Sequence, residues 1–381
     1  MRLKNCYNTQ DFRKLARQRL PAPLFHYIDG GADDEVTMHR NTAAFETVDL
    51  VPRVLAGVES VDLSVQVLGQ QLQLPLFFSP TAMQRLFHQE GERAIAQAAA
   101  QFGTLFGVST IGTRSIEELG RCGSPKLFQI YIHKDPALNR DLVERCRDAG
   151  FDALALTVDT IVAGNRERDY LTGMTAPPKL TLKSLMSFAL HPRWTLAYLM
   201  GKTFDLPNVS KYVRQGSDVA ASVVDYMNNQ LSRRIDWDDA ARLIEDWQGP
   251  FAIKGVMSVA DARMAVQVGA SAIMISNHGG RQLDGSRAPF DQLQTIVDAV
   301  GDDIEVILDG GVRRGTHVLK ALAMGATACS GGRMYLYALA GAGTAGVMRA
   351  MTLLRDEMER DMLLMGCAKV ADLNRSMLAQ R

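Results

Sequence analysis

Eight short apolar runs, each followed by a few turn residues and most by an amphipathic stretch, punctuate the chain between residues 75 and 333. They read PLFFSP (75–80), TLFGVS (104–109), KLFQIYI (126–132), ALALTVD (153–159), FAIKGV (251–256), AIMISNH (272–278), EVILDGG (305–311) and ACSGGR (328–333). The intervening stretches, such as EGERAIAQAAAQFG, DPALNRDLVERCRDAG and SVADARMAVQVGA, end in or near glycine, as helix C-termini do. Strands alternating with helices imply parallel βαβ units. Eight of them predict a single (β/α)8 TIM barrel rather than a doubly wound sheet. Residues 1 to about 70 read as an N-terminal helical cap followed by an extended segment. The gap after strand 4, residues 160 to 250, is too long for one helix. One domain, 1–381, is therefore expected, with a basic-apolar insertion over residues 177–215.

Lys plus Arg and Asp plus Glu both number 42, so no net field draws nucleic acid to this chain, and none is expected as a partner. The five cysteines (Cys6, Cys122, Cys146, Cys329, Cys367) are dispersed without metal-like spacing, and no metal is expected. The first twenty residues lack the apolar core of a signal peptide, and no run approaches eighteen apolar residues.

Chemistry-bearing residues gather at one position of the pattern. Gln129, Tyr131, Thr157, Asp159, Lys254, His278, Asp309 and Arg333 all fall at carboxyl ends of the expected strands, where this fold places active sites. DGGVRRG (309–315) and SGGR (330–333) follow strands 7 and 8, the recurrent phosphate site of such barrels. GAGTAG (341–346) matches a dinucleotide fingerprint but follows the last strand, so it is not read as one. Lys254 in the middle of an apolar strand needs an anionic partner or serves as a nucleophile. His278 with Asp159 reads as an oriented base, and Arg166 with Arg281 as a clamp for an α-carboxylate.

These residues carry a resemblance. SNHGGRQLD, together with LFHYIDGGA, SPTAM, QIYI, LTVD, IKGV, LDGGVRRG and GGR in that family's relative positions, is similar to the FMN-dependent L-2-hydroxy acid oxidising enzymes. Glycolate oxidase and the L-lactate and mandelate dehydrogenases belong to that family. The resemblance spans nearly the whole chain and implies FMN as cofactor. It implies that Pro80, Thr81, Ala82, Ser109, Gln129, Thr157 and Ser276 line the flavin, with Lys254 at its N1/O2 edge. Asp309, Gly311, Arg313, Gly332 and Arg333 would hold the ribityl chain and phosphate. Tyr27, Arg166 and Arg281 would bind the substrate carboxylate, Tyr131 its hydroxyl, and His278, paired with Asp159, would be the base.

Membrane-associated members of the family carry a basic, apolar segment where this chain has His191-Pro192-Arg193-Trp194. Residues 179–204 lack acidic residues and mix leucine, methionine and aromatics with Lys179, Lys183, Arg193 and Lys202. Such a segment lies in the headgroup plane rather than spanning it. The resemblance thus points to the cytoplasmic face of the inner membrane and a membrane quinone as electron acceptor. The alternative is a cytoplasmic enzyme, with the segment a lid and O2 the acceptor; Ala82, found where oxidases of the family carry alanine, leans that way. A flavin-dependent isomerase on a related barrel is a further reading, against which His278-Gly279-Gly280-Arg281 counts. The family often assembles as homotetramers.

Overall fold

All eight apolar runs become parallel strands of one closed barrel, in sequence order. They are β1 (Leu76–Phe78), β2 (Phe106–Ser109), β3 (Lys126–Ile130), β4 (Ala153–Thr157), β5 (Phe251–Val256), β6 (Ala272–Ile275), β7 (Glu305–Asp309) and β8 (Ala328–Gly331). β8 closes on β1, pairing Cys329 with Leu76 and Gly331 with Phe78. The structure, a computed structural model, describes residues 1–174, 179–201, 205–212 and 230–381.

Side chains alternate along a strand, so one parity points into the barrel. At the amino ends that parity is apolar: Phe77, Leu127, Ala153, Ala155, Ala252, Ala272, Met274, Ile307 and Ala328 form one buried cluster. The same parity continued toward the carboxyl ends gives Ser79, Gln129, Thr157, Lys254, Ser276, Asp309 and Ser330. The barrel interior is therefore a hydrocarbon plug below and a polar floor above. A β-ribbon, Val65–Val67 with Gln70–Leu72, closes the lower end. Its Val67, Leu68 and Leu72 join the apolar plug, and the Leu68 amide donates to Glu305 at 2.8 Å. The expected extended segment is this ribbon.

The N-terminal cap comprises helices Thr9–Arg19, Ala22–Asp29 and Val36–Ala43. The first buries Phe12, Leu15 and Ala16 and is capped by Asn8, which accepts from the Asp11 amide at 3.0 Å. The C-terminal helix, Arg333–Met365, breaks at Ala342 and Gly343. Gly343 has φ +58°, and a Cβ there would meet Glu90 at 2.3 Å and His88 at 2.4 Å. Glu90 caps the restart, accepting from the Thr344 amide at 2.6 Å. The middle glycine of GAGTAG, Gly343, thus serves a helix break.

Between β4 and β5 the chain forms two short helices, Leu182–Ala189 and Pro192–Met200. Pro192 occupies the first turn of the second helix, where its missing N–H costs nothing, and this separates the pair. The hairpin is pinned by Phe188 and Trp194: their rings lie 5.4 Å apart, and the Trp194 indole donates to Leu86 at 2.8 Å. Its outer side exposes Leu182, Leu185, Met186, Leu190, Leu196, Leu199 and Met200. Among the described residues no helix is long and apolar enough to cross a membrane. Of the expected insertion 177–215, residues 177, 178, 202–204 and 213–215 lie outside the described residues, Lys202 among them. Residues 205–212 return to the barrel: Leu206 and Val209 are buried, and Asn208 accepts from the Ile116 amide at 2.9 Å. That end of the insertion is core rather than surface.

Candidate active site

The polar floor is organised around one carboxylate. Asp309 accepts from Ser276 and Ser330 at 2.7 Å each and from Ser79, and its Oδ2 lies 3.0 Å from the Lys254 ammonium. Burial would raise the Asp309 carboxyl, but Lys254 and the three hydroxyls overcome it and hold it near about 2. Burial likewise pushes the Lys254 ammonium down, and Asp309 and Asp159 more than offset that, leaving it above its ordinary value. The anionic partner that the sequence demanded of Lys254 is thus Asp309, 3.0 Å away in space but 55 positions away in sequence. A lysine held charged is a poor nucleophile, which removes the Schiff-base role.

His278 sits at the end of β6 with φ +57°, followed by Gly279 at +67° and Gly280 at +72°. This left-handed run turns the imidazole back over the barrel mouth, where Nδ1 lies 3.0 Å from Asp159 Oδ1. Burial would raise the Asp159 carboxyl; the His278 ring bonded to it and the nearby Lys254 ammonium instead keep it low. The ring nitrogen facing Asp159 then carries the proton, leaving Nε2 as the acceptor. Gln282 braces the arrangement, donating to the Asp159 and Val162 carbonyls at 2.9 and 2.8 Å.

The paired glycines answer to the chain itself. A Cβ on Gly280 would meet the Met38 backbone at 2.5 Å, and the Ala32 amide donates to the Gly280 carbonyl at 2.9 Å. Gly311 is similar: φ +76°, with Asn41 O 1.9 Å from where its Cβ would be. At both places the glycine admits the close approach of the N-terminal cap, and Gly311 lines the cavity as well. Arg333 clamps the same cap, donating to Ile28 O (3.0 Å), Gly279 O (2.7 Å) and Gly30 O (2.6 Å). Two of its five donors remain for an anion.

One cavity collects Tyr27, Pro80, Thr81, Ala82, Ser109, Gln129, Tyr131, Thr157, Arg166, Lys254, His278, Arg281, Asp309, Gly311, Arg313, Gly332 and Arg333. Asp159 and Ser276 stand directly behind its lining, bonded to His278 and to Lys254. Every residue named from the sequence for base, substrate or cofactor is therefore brought to one place. Both clamp guanidiniums lie 5.0 Å from the Tyr27 ring centroid. Arg166 pairs with Asp169 at 3.2 Å, whereas Arg281 donates only to carbonyls, of Tyr27 (2.6 Å) and Gly30 (3.1 Å). Burial, reinforced by Arg166, lowers Arg281 to about 10. Burial also lowers Arg313 to about 10, with the like charge of Arg333 contributing. No carboxylate within 4 Å balances Arg281 or Arg313 among the described residues, so each end of the cavity asks for an anion. Burial, then Asp159, raises Tyr131, which stays a phenol and a donor.

The cavity fits FMN on its own chemistry. Gln129 Nε2 and Thr157 Oγ1 are buried without a hydrogen-bond partner among the described residues, matching the carbonyl and N–H edge of a flavin ring. Arg313 and the remaining Arg333 donors suit a phosphate, and Lys254 puts a fixed positive charge at the floor. Sequence reasoning missed Ser79 and Ser330, which share the inward parity of Thr157 and could have been found from it. It also missed Asp29, which ties down the cap through Arg13 at 2.7 Å, Arg168 at 2.9 Å and Tyr337 at 2.8 Å.

Comparison with known proteins agrees with this geometry. Residues 16–380 match the family model described as FMN-dependent dehydrogenase. An L-lactate oxidase of Nostoc sp. is 42% identical, over 97% of this chain and 97% of its own. An L-lactate dehydrogenase of Xanthobacter autotrophicus is 40% identical, over 98% and 96%. Among solved structures, the monotopic membrane protein (S)-mandelate dehydrogenase superimposes with a TM-score of 0.93 at 33% identity, covering 99% of this chain and 100% of that one.

Proposed function

Since this chain belongs to the FMN-dependent dehydrogenase family, we propose that it oxidises an L-2-hydroxy acid, lactate-like in size, to the 2-oxo acid and passes the electrons to a membrane quinone. The observation that carries the chemistry is the convergence, over one cavity, of an Asp-oriented histidine and an arginine with no carboxylate within 4 Å among the described residues. Bound FMN supplies a two-electron acceptor that the side chains lack. Gln129, Thr157, Ser109 and the 80–82 segment would hold its ring, Lys254 would face the ring's N1/O2 edge, and Arg313 with Arg333 would hold its phosphate. Arg281, with Arg166 beside it, binds the substrate carboxylate and fixes which face of C2 is presented. Tyr131 donates to the C2 oxygen. His278 Nε2 takes the proton released at the C2 centre, and the resulting imidazolium is stabilised by the Asp159 carboxylate at the opposite nitrogen. Gln282 and the Gly279–Gly280 turn keep that pair in register.

Assignment of the acceptor rests on the hairpin. Seven leucines and methionines and Tyr198 are exposed along residues 182–200, Leu185 at 52%, Leu199 at 72% and Met200 at 84%, alongside the exposed Lys179, Lys183 and Arg193. Soluble surfaces rarely present so contiguous an apolar patch. A bilayer interface would cover it, with the basic groups at the headgroups, on the cytoplasmic face of the inner membrane. The Leu185→Asp/Leu196→Asp/Leu199→Asp variant tests this. Each leucine contributes on the order of 1.5–3 kcal/mol when buried, so partition into vesicles should fall by at least about 10²-fold. Anaerobic flavin bleaching by hydroxy acid should stay at the wild-type rate. Retention of the variant in the membrane fraction would return the hairpin to the status of a lid, with O2 as acceptor.

A further inference from the structure

Phe87 lines two cavities: the active-site cavity and a second one on the hairpin side. The second is walled by Arg19, Arg85, His88, Arg193, Trp194 and Tyr198, and among the described residues no carboxylate lines it. Its volume, about 260 Å³, exceeds the roughly 150 Å³ that takes up a benzene ring. Trp194 and Tyr198 stack on one another, centroids 5.1 Å apart and planes 13° from parallel. Both belong to the Pro192–Met200 helix, whose other face exposes Leu196, Leu199 and Met200. Stacked aromatic rings offer a flat apolar face, and guanidiniums offer donors to carbonyl oxygens. A planar ring bearing two carbonyls meets both demands.

We propose that this cavity docks the head group of the quinone that reoxidises the enzyme, entering from the bilayer side of the hairpin. The proposal rests on the membrane-quinone reading above. Phe87, 2% exposed and stacked on Tyr27 at 6.1 Å, forms a wall common to both cavities, so donor and acceptor lie on either side of one aromatic side chain. The electron count closes: the hydroxy acid gives up two electrons and two protons in becoming the oxo acid, and the quinone takes up two of each in becoming the quinol. A lipid phosphate would engage the arginines, but it has no use for the aromatic pair or for the shared wall.

Filling the cavity is the test. Ala197 lines it away from the FMN cavity. In the holoenzyme, Ala197→Phe should leave anaerobic bleaching by L-lactate and reoxidation by O2 at wild-type rates, while slowing reoxidation by a decyl-substituted benzoquinone at least tenfold. Quinone reoxidation within twofold of wild type overturns the proposal. If Ala197→Phe fails to fold, Arg193→Gln, at an exposed position, carries the same test: KM for the quinone should rise at least fivefold, and an unchanged KM overturns the proposal. A rise that vanishes in detergent free of anionic lipid assigns the arginines to lipid phosphate and overturns it too. A wild-type enzyme that the quinone cannot reoxidise is a separate result: it removes the acceptor reading, and this site with it.

Discussion

His278→Gln is expected to slow flavin bleaching by saturating L-2-hydroxy acid by about 10²–10⁴-fold, the usual worth of a positioned general base. Glutamine keeps a polar group within reach of Asp159 but accepts no proton at neutral pH. Position 278 is half-buried and its φ is +57°. Glutamine there bears left-handed strain on the order of 1 kcal/mol, as a histidine without special stabilisation would, so the fold and the FMN complement should persist. Anaerobic stopped-flow absorbance checks both at once, because the amplitude reports bound flavin and the rate reports the chemistry. A rate within about tenfold of wild type would move the base elsewhere.

Asp309→Asn is expected to produce the largest loss of stability. It leaves the Lys254 ammonium buried without its counter-charge, and breaking a buried pair this way costs about 3–5 kcal/mol. Adding Lys254→Met removes the orphaned charge and should recover a large part of that loss, since the two positions touch and are not additive. Equilibrium urea denaturation of the four proteins completes the cycle. A single variant within about 1 kcal/mol of wild type would contradict the account of the floor. The same carboxylate gives a pH signature. Its folded value of about 2 lies below the ordinary 3.8, so its stabilising contribution is fully present above pH ~4. Falling from about 4 toward 2, the pH removes on the order of 2 kcal/mol from wild type at this site and not from Asp309→Asn.

What the sequence made legible was whatever repeats with a short period. The βα rhythm located all eight strands, because a strand buried on both faces must be an apolar run bounded by turn residues. Strand-end position then singled out Gln129, Thr157, Lys254, His278 and Asp309, because only the mouth of the barrel tolerates such groups. Contacts across hundreds of residues were not legible. Arg333 reaches back 305 positions to Ile28 and 303 to Gly30, and nothing local in GGR reveals it. For the same reason the glycines of DGGVRRG read as room for a phosphate, and the cap approaching Gly311 at Asn41 could not be seen. In the insertion, composition gave the basic-apolar character, but not that Trp194 turns inward onto Leu86 while Leu196 and Leu199 turn outward. A two-turn helix beside a proline is too short for periodicity to assign its faces.

The central claim is most directly tested by mixing the purified wild-type holoenzyme anaerobically with L-lactate, its D enantiomer, L-mandelate, glycolate and a long-chain L-2-hydroxy acid, and then mixing the reduced enzyme with a soluble quinone or with O2. The account predicts that at least one L-2-hydroxy acid bleaches the flavin while D-lactate does not, and that quinone restores the colour faster than O2. A flavin that none of these acids bleaches contradicts it.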